Sequence, residues 1–250
     1  MIQRIKRAYL VTAYCVSWLW FALVGLGLNI GCIFLLPLPN RAGRGKGVRA
    51  AIRVLFDLWV KWFHASKVVS VKWIGFNEPL KPGTVFIANH PTLVDATILL
   101  ARLPNTVCIF KPSLMRNPAI GPAAIMAEYV SGDAGVDVIR DAAAKVAEGC
   151  SILIFPEGTR TAPGKLPAVF KPGFALIAAQ AGAPVQLIII RATRDLAARG
   201  RPWWKAPVVL PGKIEITLDR RWEHVEERHA SVLTAEVEQR VFEVFRTAES

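Results

Sequence analysis

A histidine and an aspartate stand five positions apart, directly after an apolar run. His90 and Asp95 follow the segment TVFIAN (84–89), which has the composition of a buried strand. An aspartate near a histidine can bond one imidazole nitrogen, fix the tautomer and stabilise the imidazolium, so the other nitrogen can take a proton. We expect Pro91 in the first turn of a helix, with His90 at the N-cap. The pair could serve as a general base, and a helix-capping histidine beside a solvated aspartate is the alternative.

The residues between the pair limit the type of reaction. They include no serine or cysteine that the histidine could activate, although Thr92 lies close. Direct attack by a hydroxyl group of the substrate is therefore favoured over a covalent enzyme intermediate.

A second motif, FPEGTR (155–160), follows another apolar run. Arg160 could hold a phosphate group through its planar guanidinium. Glu157 could accept hydrogen bonds from substrate hydroxyls or hold that arginine in place, and Gly158 permits a close approach to the backbone. The alternative is a solvated turn with an incidental ion pair.

Elements that could position these motifs begin near Val68, where β-rich runs alternate with helical segments. This alternation predicts an α/β fold: a mixed, largely parallel sheet flanked by helices. Ligands bind at the carboxyl ends of such strands, where both motifs stand. The predicted strands are VVSVKWIG (68–75), TVFIAN (84–89), TVCIF (106–110), SILIFP (151–156), PVQLIII (184–190) and KIEITL (213–218). A C-terminal amphipathic helix is predicted from the spacing of Val232, Leu233, Val237, Val241 and Val244 or Phe245.

The N-terminal segment carries no charge between Arg7 and Arg41. It is longer than the apolar region of a signal peptide and predicts a membrane-embedded helical segment. The glycines and the asparagine of VGLGLNIG (24–31) are where a helix most easily breaks. Because both flanks are basic, and basic flanks prefer the cytoplasm, we expect a re-entrant helical hairpin; one tilted transmembrane helix is the alternative.

The segment that follows predicts a helix in the membrane interface. Arg49, Arg53, Asp57 and Lys61 stand four apart on one face. The other faces carry apolar residues, namely Ile52, Leu55, Phe56, Trp59, Trp62 and Phe63. An ordinary surface helix is the alternative, and RPWWKAP (201–207) is either a second interfacial anchor or a loop with a buried aromatic pair.

Composition points to an anionic partner. Lysine and arginine number 31 against 19 aspartates and glutamates, while 53% of residues are hydrophobic and eight are tryptophan. This balance favours a membrane surface over nucleic acid, since no basic arm is present. The four cysteines are far apart and predict reduced thiols, and the four histidines lack the spacing of a metal site.

The two motifs together resemble those of the glycerolipid and lysophospholipid acyltransferases. NHPTLVD (89–95) resembles the NHxxxxD block of that family, with threonine at position 92 where serine is commoner, and FPEGTR matches the second block. FKPGFALIAAQAGAPV (170–185) and IFKPSLMRNPAIG (109–121) are similar to the segments after and between the blocks. The resemblance covers roughly residues 68–218 and implies the glycerolphosphate-acyltransferase fold.

The resemblance implies transfer of a fatty acyl group from acyl-coenzyme A or an acyl-carrier-protein thioester to the hydroxyl of a lyso-lipid acceptor. His90 would deprotonate that hydroxyl and Asp95 would orient His90. The acceptor head group would be held by Glu157, Gly158, Thr159 and Arg160, with Lys111 as a further candidate. Neither a metal nor a cofactor is implied. We divide the chain into membrane-anchoring helices (1–66) and a catalytic domain (67–250) facing the cytoplasm from the inner membrane.

One departure from the family leaves the acceptor open. Many phosphatidate-forming members carry an arginine between the blocks, where this chain has Asp133. 1-Acylglycerol-3-phosphate is the expected acceptor, and another lyso-lipid, such as an ornithine lipid, is the alternative. Two other classes also remain: a membrane-bound thioesterase or lipid hydrolase using the same histidine pair, and a lipid-binding protein without catalysis.

Overall fold

The structure is a computed structural model that describes residues 1–39, 41–132, 136–162, 165, 167, 169–193 and 195–246. Its helices are α1 (Ile2–Leu35), α2 (Arg41–Ala65), α3 (Asp95–Leu100), α4 (Pro112–Met115), α5 (Gly121–Met126), α6 (Val136–Ala147), α7 (Gly173–Ala181) and α8 (Ala230–Arg246). Its strands are β1 (Val69–Ile74), β2 (Val85–Ala88), β3 (Thr106–Phe110), β4 (Val130–Ser131), β5 (Ser151–Ile154), β6 (Val185–Ala192) and β7 (Gly212–Trp222).

The strands form one sheet in the order β1-β7-β6-β2-β5-β3-β4. All neighbouring pairs are parallel except β6 and β7, which are antiparallel. All six strands expected from the sequence are present, and the mixed, largely parallel sheet is confirmed. The two-residue strand β4 was missed because a run of that length has no readable alternation.

Helices pack in two groups against this sheet, with α6, α7 and α8 in one and α1, α2, α3 and α5 in the other. Every residue of β2 is buried, as are the first six residues of β6. Strands covered on both faces are mostly apolar, which explains the nearly continuous hydrophobic runs of β2 and β6. In α8 the buried positions include Leu233, Val237 and Val241, whereas Val232 is exposed, so its assignment to the apolar face was wrong.

The N-terminal helix α1 is continuous over 34 residues, a length of about 51 Å. The predicted break at residues 24–31 is therefore wrong. Asn29 Nδ2 donates to Gly25 O at 2.8 Å within the helix, and Asn29 Oδ1 accepts from Ala123 N at 3.0 Å. Ala123 lies in the first turn of α5, so Asn29 satisfies a free backbone donor there and is held in helical conformation by this contact.

One stripe of α1 packs against the protein, and most of the rest is exposed. The buried residues of the helix are Leu10, Ala13, Tyr14, Ser17, Asn29 and Cys32. Among the described residues, α1 is the one helix long and apolar enough to cross a membrane, and only 17% of its most apolar window is buried. The four cysteines are free thiols, as expected.

Aromatic residues join α1, α2 and the β6–β7 loop. The ring of Trp18 packs against those of Trp59 and Trp203, with centroids 5.4 and 4.9 Å apart. Tyr14 Oη donates to Trp203 O at 2.6 Å. Trp203 is nevertheless 40% exposed and Trp204 is 63% exposed, so the alternative of a buried aromatic pair is wrong.

Helix α2 distributes its charges differently from the prediction. Arg53 and Lys61 are exposed, but Arg49 is buried. Its guanidinium donates from Nε to Asn105 Oδ1 at 2.8 Å, and from Nη1 to Ala127 O at 3.0 Å and Glu128 Oε2 at 2.9 Å. These partners lie outside α2, so helical periodicity alone could not reveal that Arg49 faces the domain.

Candidate active site

The two sequence motifs meet at one edge of the sheet. Strands β2 and β5 are parallel neighbours, with Ile87 opposite Ile154. His90 and Glu157 each stand three positions further along, beyond the carboxyl ends of these strands. The parallel register therefore brings the motifs together, as expected for an α/β sheet.

His90 is bonded to Asp95. The Nδ1 to Oδ2 distance is 2.8 Å, and the carboxylate of Asp95 is fully buried while the side chain of His90 is 19% exposed. Asp95 also accepts hydrogen bonds from Thr92, at 2.7 Å from the backbone N–H and 2.5 Å from the hydroxyl. Since a carboxylate accepts, the proton of the imidazole lies on Nδ1 and the lone pair on Nε2. Nε2 is thus the nitrogen able to take a proton.

The turn between His90 and Asp95 differs from the prediction in its local structure. Helix α3 begins at Asp95, and Val94 occupies its N-cap, so the assignment of His90 to a helix N-cap is wrong. A carboxylate in the first turn of a helix is favoured by the backbone dipoles. The ring of His90 stacks on Phe155, with centroids 4.1 Å apart and planes 20° apart. The stacking and the Asp95 bond together fix the orientation of the imidazole.

Glu157 joins the two motifs through the backbone. It is buried, and its Oε1 accepts from the backbone N–H of His90 at 2.8 Å. Its Oε2 accepts from Thr161 Oγ1 at 2.7 Å, and Thr161 N donates to His90 O at 2.8 Å. These contacts hold the chain on both sides of the imidazole. Contact of Glu157 with an acceptor stays a prediction.

The remaining residues of FPEGTR form a turn beside the histidine. Gly158 has a φ of +67°, a conformation that glycine adopts without strain, and its N–H donates to Phe155 O at 3.0 Å. Thr159 and Arg160 are half-buried. Arg160 Nη1 lies 3.4 Å from Ala197 O. Among the described residues, Arg160 forms no ion pair, so its charge is available to an anion.

Lys111 is exposed and directly follows β3, the strand beside β5. It therefore lies at the same edge of the sheet, one strand further from His90 than Arg160. Asp133, the residue that departs from the family pattern, lies outside the described residues. All the described site residues predicted from the sequence thus come to one edge.

Two sets of hydrogen bonds that position this site were not predicted from the sequence. Asn89 exchanges two hydrogen bonds with the backbone of Ile190, at 2.8 and 2.7 Å, and so fixes the start of the turn to β6. Ala197 O accepts from Leu93 N at 3.0 Å, and Thr92 pairs with Ala198. A polar residue directly after a buried strand was a signal for Asn89. The loop contacts had no signal, because they involve backbone atoms about 100 residues away.

Comparisons with known proteins agree with this geometry. Residues 71–191 match the sequence profile of the family described as Acyltransferase. The chain is 32% identical over 212 residues to a 1-acyl-sn-glycerol-3-phosphate acyltransferase of Cocos nucifera, covering 80% of this chain and 65% of the relative. A 1-acyl-sn-glycerol-3-phosphate acyltransferase of Limnanthes alba is 29% identical over 47% of this chain and 44% of its own length.

The crystal structure of the 1-acyl-sn-glycerophosphate (LPA) acyltransferase PlsC from Thermotoga maritima has the same fold. Its TM-score is 0.71 at 23% identity, over 96% of this chain and 97% of that one. The chain spans less than two thirds of the length of the plant relatives. Residues 71–191 therefore combine the two motifs, brought together by the parallel strand register, with a match to the sequence profile of the acyltransferase family.

Proposed function

We propose that this protein is a membrane-bound O-acyltransferase acting on a lysophospholipid, with 1-acylglycerol-3-phosphate as acceptor and phosphatidate as product. The observation that carries the proposal is the His90–Asp95 pair, bonded at 2.8 Å in a region that matches the acyltransferase profile, with Arg160 on the neighbouring turn. Curated relatives named 1-acyl-sn-glycerol-3-phosphate acyltransferase support the choice of acceptor. The acyl donor is acyl-coenzyme A or an acyl-carrier-protein thioester.

In the first step, Nε2 of His90 takes the proton of the acceptor hydroxyl as its oxygen attacks the thioester carbonyl. Asp95, bonded to Nδ1, keeps the tautomer that can accept this proton and stabilises the resulting imidazolium. Thr92 holds Asp95 through two hydrogen bonds, so the carboxylate cannot rotate away. The stacked ring of Phe155 limits rotation of the imidazole.

In the second step, the tetrahedral intermediate collapses and the C–S bond breaks. The sulfur leaves as a thiolate and receives the proton from the imidazolium of His90, which returns His90 to its neutral form. An ester and a free thiol are the products. No electrons are exchanged between the substrates, so the scheme requires neither a redox cofactor nor a metal.

Arg160 binds the phosphate of the acceptor, with Gly158, Thr159 and Lys111 as further contacts. Arg160 is half-buried next to the histidine and forms no ion pair among the described residues. A guanidinium can bind two phosphate oxygens at once, which suits a phosphomonoester head group.

The apolar face of α1 attaches the protein to the cytoplasmic membrane, where the acceptor is dissolved. Its exposed side chains include Leu19, Leu23, Leu26, Ile30 and Ile33. Contiguous apolar surface of this kind marks contact with a membrane or a partner. The catalytic domain faces the cytoplasm, where both thioester donors occur.

The test is acyl transfer by detergent-purified protein, comparing wild type, His90→Ala and His64→Ala as the control. His64 is an exposed histidine on α2 and has no place in the scheme. Both donors are offered with 1-acylglycerol-3-phosphate and with other lyso-lipids, and the products are identified by mass spectrometry. Loss of the base should lower turnover by about 10²- to 10⁴-fold.

Phosphatidate that depends on the acceptor, made by wild type and His64→Ala but not by His90→Ala, is the expected result. Free fatty acid released without an acceptor would identify a hydrolase instead. Turnover by His90→Ala within a few fold of wild type would remove His90 as the base.

A further inference from the structure

An open groove of about 540 Å³ lies in the loop of residues 195–211, which connects β6 to β7. We call it the β6–β7 groove. Its lining includes three cations, Arg199, Arg201 and Lys205, and one carboxylate, Asp195.

Two of the three cations in the groove are available to a ligand. Arg201 is engaged by the protein, since it pairs with Asp195 at 3.7 Å and donates to Ala206 O at 2.6 Å. Within the part of the chain that the structure describes, neither Arg199 nor Lys205 forms an ion pair. The groove therefore carries positive charge that its own carboxylate does not neutralise.

The groove lies directly beside the histidine turn. The loop that forms it pairs with that turn, through Ala197 O to Leu93 N at 3.0 Å and through Ala198, a groove residue, opposite Thr92. Arg199 Nη1 also lies 3.4 Å from the carbonyl oxygen of Arg160. A ligand in the groove is thus adjacent to both motifs.

The groove and Lys111 lie on opposite sides of His90. In the strand order β6-β2-β5-β3, the groove follows β6, the histidine follows β2, the FPEGTR turn follows β5 and Lys111 follows β3. A transferase must bring its two substrates together at its base. With the acceptor phosphate on the β5 and β3 side, the β6 side is left for the donor.

We propose that the β6–β7 groove binds the phosphate groups of the coenzyme A part of an acyl-coenzyme A donor, through Arg199 and Lys205. This inference rests on the proposed function and specifies its donor. Coenzyme A carries a diphosphate and a ribose phosphate, so several cations in a groove larger than one phosphate match it. The prosthetic group of an acyl carrier protein presents a single phosphodiester, so it would use fewer of these cations than coenzyme A.

The experiment measures equilibrium binding of free coenzyme A to the full-length protein in detergent by isothermal titration calorimetry. The variants are Arg199→Ala, Lys205→Ala and the double substitution. Lys81→Ala is the matched control, an exposed lysine just before β2 and so at the opposite edge of the sheet. Each groove substitution should weaken binding about tenfold, and Arg199→Lys should retain part of the affinity. Dephospho-coenzyme A should bind less tightly than coenzyme A to wild type.

Steady-state kinetics with the same variants separate donor from acceptor. The KM for acyl-coenzyme A should rise in the groove variants while the KM for the acceptor stays constant. A rise confined to the acceptor KM would overturn the inference, and so would a wild-type protein that binds no coenzyme A. A wild type that binds coenzyme A through these residues but transfers no acyl group would contradict the proposed function and leave the groove assignment standing.

Discussion

Asp95 and Glu128 are two carboxylates with little exposure to solvent, and their negative charges are stabilised by different kinds of partner. Asp95 accepts from the backbone and hydroxyl of Thr92 and from His90. These donors are uncharged except when the imidazole is protonated. The charge of Asp95 is therefore left to stabilise a proton on the histidine, which is the property a general base requires.

Glu128 is matched instead by two permanent cations. Its Oε2 lies 2.9 Å from Arg49 Nη1 and its Oε1 lies 3.2 Å from Lys145 Nζ. Burial acts to raise the pKa of Glu128, but the hydrogen bonds from Arg49 and Lys145 outweigh it and hold the pKa below its usual value. Nothing in this cluster can exchange a proton near neutral pH. Its effect is to fix α2 and α6 to the end of α5.

The comparison shows that burial of a carboxylate does not by itself identify a catalytic group. The partner of the carboxylate distinguishes the two cases: the titratable histidine fits the proposed chemistry, whereas permanent cations fit a structural role. Substitutions in the first cluster should therefore lower turnover with little change in stability, and substitutions in the second should do the reverse.

The largest effect is expected from Asp95→Asn. The amide has the shape of the carboxylate, and its oxygen can still accept from Thr92 N and His90 Nδ1, but it carries no negative charge to stabilise the imidazolium. The kcat should fall about 10³- to 10⁴-fold, as measured by acyl transfer, with the thermal unfolding midpoint close to that of wild type. Turnover within tenfold of wild type would mean that the charge of Asp95 is not needed to stabilise a proton on His90.

Arg49→Met should have the next largest effect, on stability. The side chain of Arg49 is 5% exposed, and its removal leaves the half-buried Glu128 with Lys145 as its remaining cation among the described residues. The free energy of unfolding should fall by about 1–3 kcal/mol, measured by chemical denaturation in detergent. Arg53→Met, at an exposed position one turn later, is the control and should change it by less than about 0.5 kcal/mol. The kcat of the folded fraction should match wild type, and a large fall would contradict the separation of the two clusters.

The sequence predicts the parts of the fold that depend on local patterns. The strands were correct because β2, β5 and β6 are largely buried and therefore consist mostly of apolar residues. Both motifs could be placed at one edge because each directly follows such a strand. The pairing of His90 with Asp95 was also within reach, since only four residues separate them.

Features that depend on distant partners could not be predicted. Arg49 was assigned to a polar face because its partner Glu128 is 79 positions away. Asn29 was expected to break a helix because its contact with α5 is 94 positions away. The contact of Glu157 with the His90 backbone spans 67 positions. In each case the sequence shows a polar residue, but its hydrogen-bond partner is determined by tertiary packing.

The smallest expected effect is a difference in how strongly the free energy of unfolding depends on pH between wild type and a variant that lacks the Glu128 cluster. The pKa of Glu128 is lower in the folded than in the unfolded chain. The ionised side chain therefore contributes fully to stability above the unfolded pKa of about 4.3. This contribution is lost as the pH falls through the folded pKa. The double variant Arg49→Met/Glu128→Gln has no carboxylate to protonate there. Its free energy of unfolding should decline less steeply than that of wild type below about pH 4.3, measured by denaturation at a series of pH values. All other carboxylates are common to both proteins, so they act as the control. Equal slopes of the free energy of unfolding against pH would show that Glu128 has the same pKa in the folded and unfolded chains. The cluster would then have no part in stabilising its charge.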